Sequence, residues 1–251
     1  MAKALDFGVQ SYCFRNFKDN ADVAAKVKQI GVNKIEVCGV HGNFNDLAVW
    51  REQAGAYRQA GVEITGIGVQ TFGPDQEAAR RWFECAQLAG AKVITAHFQV
   101  ANFQTVVPQV SKLCDEYGIK VAIHCHGGYC FGGSPDVIAH LLSLGGKGIG
   151  LCLDTAWCMQ IGPHAGNPIE WVKRFSGRIY GVHYKDFVFA RNGMWEDVVV
   201  GSGNLNVAGF IKALDADHFD GVAVIEYEAN PDNPVPALTE CVQAIRAAAA
   251  K

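Results

Sequence analysis

The feature that most constrains this chain is an alternation. Short apolar runs, many of them β-branched, recur about every 30 residues, with longer stretches of helical periodicity between them. The runs are FGVQSYCF (7–14), NKIEVCG (33–39), VEITGIGV (62–69), KVITAHF (92–98), GIKVAIHCH (118–126), GIGLCLD (148–154), RIYGVHYKD (178–186) and GVAVIEYE (221–228). Strands that alternate with helices imply parallel pairing. Eight such units in 251 residues is the arithmetic of one closed (β/α)8 barrel, a TIM barrel.

The segments between the runs support this reading. ADVAAKVKQIG, LAVWREQAGAYRQAG, QEAARRWFECAQLAG and NFQTVVPQVSKLCDEYG are amphipathic, and Gly31, Gly61, Gly90 and Gly118 each stand where a helix carboxyl cap belongs. Ser134-Pro135-Asp136 and Asn167-Pro168 read as helix starts, with proline in the first turn. An open doubly wound sheet is the structural alternative, but no glycine-rich phosphate fingerprint follows the first run. No linker or composition shift divides residues 1–251, which read as a single domain. The one irregular stretch, Phe187 to Asn204, reads as a long loop over the barrel mouth, in the position of a lid.

Charge narrows the partners. The 22 basic and 25 acidic residues give a net charge of -3, so no basic stripe is expected for nucleic acid and no polybasic surface for an anionic membrane. The amino terminus lacks the basic-then-apolar pattern of a secretory leader, and no apolar run approaches the roughly 20 residues that span a bilayer. The nine cysteines are accordingly expected to be reduced thiols of a cytoplasmic protein.

The chemistry is carried by polar residues late in apolar strands, because barrel active sites lie at the strands' carboxyl ends. Four successive strands show the pattern. VAIHCH carries His124 and His126 on one face, with Cys125 on the other; LCLD ends in Asp154; YGVHYKD carries His183 and Lys185 on one face; VIEYE carries Glu226 and Glu228. Singly, each has a bland explanation, such as a hydrogen-bonded rim histidine or an aspartate capping the next helix. Together they bring imidazoles and carboxylates to one barrel end, where a divalent cation offsets the cost of burying charge. The expected metal ligands are therefore His124, Asp154, His183 and Glu226. Mixed nitrogen and oxygen donors suit manganese first and zinc second, with cobalt or iron(II) also compatible. A site built on Cys125 and Cys130 is disfavoured, because one strand cannot aim His124, Cys125 and His126 at a single ion.

VNKIEV, VAIHCHGG, LCLDTAW, VHYKD, the GSGNLN turn at 201–206 and GVAVIEYE, in this order, resemble the xylose-isomerase-like barrel superfamily. That superfamily holds sugar isomerases, sugar and sugar-phosphate epimerases, inosose dehydratases and type IV apurinic endonucleases. The resemblance implies the same four ligands, with one departure: His124 stands where the fifth strand usually carries glutamate. In the ketose epimerases that glutamate and the eighth-strand one exchange the substrate proton from opposite faces. A histidine here looks like the branch acting on 3-keto sugars and glycosides by elimination or hydration. DNA repair is not expected, since Trp157 stands where a further zinc-binding histidine would be.

The chemistry implied is loss of a proton beside a carbonyl of a small sugar, assisted by a Lewis-acidic metal. Glu226 and His126 are the candidate bases, and Lys185 is a candidate acid or holder of an anionic oxygen, unless it simply pairs with Asp186 or Glu228. Glu36 and His97, where the family lines its pocket, and Trp157 and Glu228 are candidate substrate contacts, with Trp195 a further aromatic surface. An isomerase or epimerase is the first expectation, a lyase or hydratase the second, and a non-catalytic sugar-binding barrel the third. Such barrels often assemble as homo-oligomers, although no interface signature is visible here.

Overall fold

The computed structural model describes residues 3–127 and 130–250; Gly128, the last residue of the VAIHCHGG segment, lies outside them. In chain order the strands are β1 (Phe7–Gln10), β2 (Lys34–Val37), β3 (Glu63–Phe72), β4 (Val93–Phe98), β5 (Lys120–His124), β6 (Ile149–Asp154), β7 (Ile179–Tyr184), β8 (Asp186–Phe189), β9 (Trp195–Val198) and β10 (Val222–Ile225). The helices are α1 (Asn20–Gln29), α2 (Leu47–Gln59), α3 (Gln76–Ala89), α4 (Phe103–Tyr117), α5 (Pro135–Leu144), α6 (Thr155–Gln160), α7 (Pro168–Arg174), α8 (Val207–Ala216) and α9 (Val235–Ala249). Eight strands close in the order β1-β10-β7-β6-β5-β4-β3-β2, all pairs parallel, so the chain is a (β/α)8 barrel. None of the described helices is long and apolar enough to cross a membrane.

Local chemistry sets the ends of the helices. Asp19, Asp46 and Asp75 accept backbone N–H bonds at the starts of α1, α2 and α3. Ser134 and Asn167 do the same before Pro135 and Pro168, as the sequence implied. Gly90 and Gly118 end α3 and α4 at φ 79° and 65°, a left-handed conformation that glycine adopts without steric penalty.

The alternation of strand side chains sorts the core into two layers. Val121, Ile123 and Cys125 belong, with Leu151 and Leu153, to the large cluster under the helices. Ala122 and Cys152 face the other way and pack with Val93 in a small cluster inside the barrel. His124 and Asp154 are the next residues on those inward faces, so the small cluster is the floor of the site.

Two segments differ from the sequence expectation. The first apolar run is a strand only as far as Gln10, whose side-chain Oε1 accepts from the Tyr12 amide (3.1 Å) and turns Ser11–Phe14 into a 3-10 turn. The stretch after β7, expected as an irregular loop, is largely an antiparallel hairpin of β8 and β9, in which Asp186 pairs with Val198 and Phe189 with Trp195. Its anchor is the fully buried Asp186 carboxylate, which accepts the amides of Gly201 (2.9 Å), Gly203 (3.0 Å) and Leu205 (2.9 Å). A Cβ at Gly203 would lie 2.5 Å from Asp186 Oδ1, so the close approach requires glycine there.

Candidate metal centre and active site

Register and stagger bring the polar strand ends together. His124 of β5 pairs with Cys152 of β6, which places Asp154 one inward step higher. Asp154 pairs with His183 of β7, and His183 pairs with Val224 of β10, which places Glu226 another step up. The four side chains each offer a ligand atom, and those atoms all lie within 4.8 Å of one another. Asp154, His183 and His124 are 0%, 1% and 4% exposed and Glu226 9%, so this is a buried cluster open at one corner.

Hydrogen bonding within the cluster is incomplete. His183 is gripped on both sides: its Nδ1 lies 3.2 Å from Glu226 Oε2 and its Nε2 lies 3.3 Å from Glu36 Oε2. Asp154 uses Oδ1 to accept the Trp157 amide (2.9 Å), while its Oδ2 stands 3.7 Å from His124 Nε2. Neither ring nitrogen of His124 completes a hydrogen bond and no donor reaches Asp154 Oδ2, although all three atoms are buried. Buried polar atoms normally find partners. With these atoms unpartnered, the cluster of two imidazoles and two carboxylates, each offering one ligand atom, could hold a metal ion.

Burial and neighbouring charges shift all four groups of the metal-free cluster. Burial, then the neighbouring His183, depress the His124 imidazole to about 3, so the ring is neutral and one of its two nitrogens carries a free lone pair. Burial raises Asp154 to about 7, against the pull of Lys185. Burial would raise Glu226 too, but Lys185 and the hydrogen-bonded His183 outweigh it and hold that carboxyl well below its ordinary value. For His183 burial works downward, and Cys152, Glu36 and Glu226 more than reverse it.

The other expected residues distribute around this cluster. Lys185, 1% exposed, ion-pairs with Glu228 and lies 3.5 Å from Glu226 Oε2. Glu36 is buried beside His183, and its Oε1 accepts from Gln10 Nε2 (2.8 Å) and Thr95 Oγ1 (2.5 Å). His126 lies past the end of β5, half-buried, with its ring stacked on Trp157 at 4.1 Å. His97 stands edge-on to His124 at 5.5 Å, and burial pushes it down to about 3. Trp157 also meets Phe187 and Trp195 of the hairpin at 5.0 and 5.3 Å, so the aromatic wall and the hairpin are one packed unit.

Sequence reasoning missed Gln10 and Thr95, although each interrupts an apolar strand as His124 does. It also missed Asp197 of β9, whose Oδ2 accepts the Glu228 amide (2.9 Å) and whose Oδ1 is buried without a partner. Burial raises that carboxyl to about 7 despite Lys185. Nothing in a polar hairpin strand sets Asp197 apart before folding. All nine cysteines are free, and Cys125 sits behind the site with its thiol between β5 and β6, donating to Asp154 O (3.4 Å).

A cavity of about 450 Å³ opens over the cluster, lined among others by His124, Glu226, His97, His126, Trp157 and Glu228. A larger one, about 590 Å³, lies between the 161–168 loop and the hairpin, but Arg191 is its one charged lining residue. The smaller cavity joins space to the buried cluster of imidazoles and carboxylates at the strands' carboxyl ends.

Solved structures similar to this chain share the barrel. The probable 3-DHS dehydratase AsbF involved in petrobactin synthesis from Bacillus anthracis superposes with a TM-score of 0.76 at 15% identity, covering 96% of this chain and 98% of its own. The 3-keto-D-glucoside 4-epimerase YcjR from E. coli, in its apo form, gives 0.72 at 15% identity, over 96% and 99%. The IOLI protein, with a zinc atom bound, gives 0.72 at 15% identity, over 96% and 95%. No curated protein sequence matches the chain. The family model for xylose isomerase-like TIM barrels matches residues 24–248, and the chain belongs to that family.

Proposed function

We propose that this protein is a divalent-metal-dependent enzyme that removes and returns a proton beside the carbonyl of a small keto sugar, as an isomerase or epimerase. The observation that carries the reading is the trio of orphaned buried donors, His124 Nδ1 and Nε2 and Asp154 Oδ2, beneath the cavity. His124, Asp154, His183 and Glu226 would hold a divalent cation, which would supply Lewis acidity to a substrate carbonyl. Glu226 lines the cavity as a carboxylate beside Lys185 and is the first candidate to take the proton. Lys185 stabilises Glu226 as a carboxylate, and with Glu228 it fixes the height of that carboxylate in the site. Trp157, its face braced by His126, forms the wall on which an apolar sugar face packs. His126 and His97 also line the cavity, and His126 is the second candidate for proton transfer. The similarity to an epimerase and to a dehydratase supports chemistry of this kind without choosing between the two.

One observation favours a second reading, a lyase or hydratase acting on 3-keto sugars. With His124 in the fifth-strand position, Glu226 and Glu228 are the carboxylates that line the cavity, and both come from the end of β10. Among the described residues, no second carboxylate lines the cavity from another strand to complete a two-base epimerisation with Glu226.

The test is solvent-deuterium exchange into a panel of keto sugars by metal-loaded protein, with elemental analysis alongside. Metal-dependent exchange, lost together with bound metal in His124→Ala and Glu226→Ala, is expected. Conserved product mass marks isomerisation and changed mass marks elimination. Full metal content in both variants, or no exchange on any keto sugar, overturns the reading in favour of a binding barrel.

A further inference from the structure

The walls of the cavity speak to what kind of sugar enters it. Gln10, Tyr12, Cys38, Val40, His97, His126 and Trp157 are among its lining residues, with Glu226 and Glu228 as the charged ones; no lysine or arginine lines it among the described residues. Neither Gly128 nor Tyr129, outside the described residues, would add a cation. A pocket built for a phosphate or carboxylate presents a guanidinium, an ammonium or a nest of backbone amides toward it.

The two cations that come near are already committed. Lys185 is buried behind Glu226 and ion-paired with both Glu226 and Glu228, so its charge is shared among carboxylates that outnumber it. Arg15 donates through Nη2 to the Glu228 carbonyl (2.6 Å) and through Nη1 to the Tyr12 carbonyl (3.4 Å), and its guanidinium lies 4.9 Å from the Tyr12 ring centre. It braces the wall from behind. Set against the carboxylates of Glu36, Asp154, Glu226 and Glu228, the Lys185 ammonium and a divalent ion still fall short of balance. An incoming anion would add to an uncompensated negative field in a partly desolvated site.

We propose that the substrate of this site is an uncharged keto sugar or glycoside, carrying neither a phosphate nor a carboxylate. The inference rests on the function proposed above, because it takes the cavity over the metal cluster as the substrate pocket. Recognition then falls to hydroxyl hydrogen bonds at His97, His126 and Glu228 and to packing on Trp157.

The test pairs neutral keto sugars, free and as methyl 3-keto-glycosides, with their 6-phosphate esters and with 3-dehydroshikimate as a carboxylate probe. Binding to manganese-loaded protein is measured by calorimetry, and solvent-deuterium exchange is followed on the same compounds. Neutral members are expected to bind, and each charged partner to bind about tenfold more weakly or worse. Glu228→Gln should narrow that gap, and the affinity for the neutral member should be insensitive to salt. A phosphorylated or carboxylated member that binds or exchanges as well as its neutral partner overturns the inference and leaves the proposed function standing. Loss of such binding in Arg15→Ala would place the anion on that guanidinium. Binding of neutral members without any exchange overturns the proposed function while the ligand class stands. Neither binding nor exchange by any member overturns both.

Discussion

Asp154→Asn is predicted to destroy the metal centre and yet to strengthen the metal-free fold at pH 8. Asp154 is fully buried, and its carboxyl is raised from 3.8 to about 7, chiefly by burial. Each pKa unit corresponds to about 1.36 kcal/mol. The sign follows from proton uptake. Between pH 4 and 7 the unfolded chain has lost this proton and the folded metal-free chain keeps it, so stability falls as pH rises through that window. The penalty is below about 1 kcal/mol at pH 4, reaches about 4 kcal/mol near pH 7–8, and is flat above. Asparagine carries no such term. It keeps an oxygen for the Trp157 amide, and its own amide can donate toward His124 Nε2, which stands 3.7 Å from the oxygen it replaces.

The assay is urea unfolding of chelator-dialysed wild type and variant at several values between pH 4 and 8, repeated with manganese or zinc. Without metal the variant should be the more stable at pH 8, by up to about 4 kcal/mol, and the difference should shrink toward pH 4. With free ion at a hundred times Kd the gap should shrink, because the wild type gains about 2.7 kcal/mol and the variant little, and at a thousand times Kd, where the gain is about 4.1 kcal/mol, it should close. A variant no more stable than wild type at pH 8, with a difference that ignores pH, would refute the idea that Asp154 is a carboxylate waiting for a cation.

Three further outcomes are expected. Lys185→Met leaves Glu226 and Asp154 buried without their ammonium and should cost the metal-free fold about 3–5 kcal/mol in urea unfolding, with bound metal recovering part of it. Asp186→Ala strips three backbone amides of their acceptor, so a loss of about 3 kcal/mol or more is expected, with faster hydrogen exchange at Gly201, Gly203 and Leu205. Trp157→Ala removes the face stacked on His126 and the contact with Trp195; KM for the sugar should rise about three- to tenfold, and hairpin amides should exchange faster while metal content is unchanged.

The barrel and its four converging strand ends were legible because they depend on local periodicity. Val121, Ile123, Leu151 and Leu153 are apolar where they meet helices, so a polar side chain at His124 or Asp154 stands out against them. By that same contrast Gln10 and Thr95, which hold Glu36, could have been found. The hairpin could not. WEDV and DFVF show no sustained alternation, and their pairing hangs on a carboxylate, Asp186, that reaches across to amides 15–19 residues away. The buried side of Lys185 was equally hidden, since rim pairing with Glu228 and contact with Glu226 look alike in one dimension.

The distribution of unmet hydrogen bonds distinguishes a ligand site from a polar core. Glu36 is also a buried carboxylate, 1% exposed, but Gln10, Thr95 and His183 saturate it. Such a group stabilises the barrel, or at least does not oppose it. Asp154 and His124, on adjacent strands, keep three polar atoms without partners and so oppose folding as they stand. Cys125 shows that the backbone could have been satisfied without them, since its thiol already bridges to the Asp154 amide and carbonyl. Asp154 caps α6 through Oδ1, but its Oδ2 and both ring nitrogens of His124 have no structural task that would offset their cost. A group that weakens the fold where an apolar residue would strengthen it is explained by what it binds.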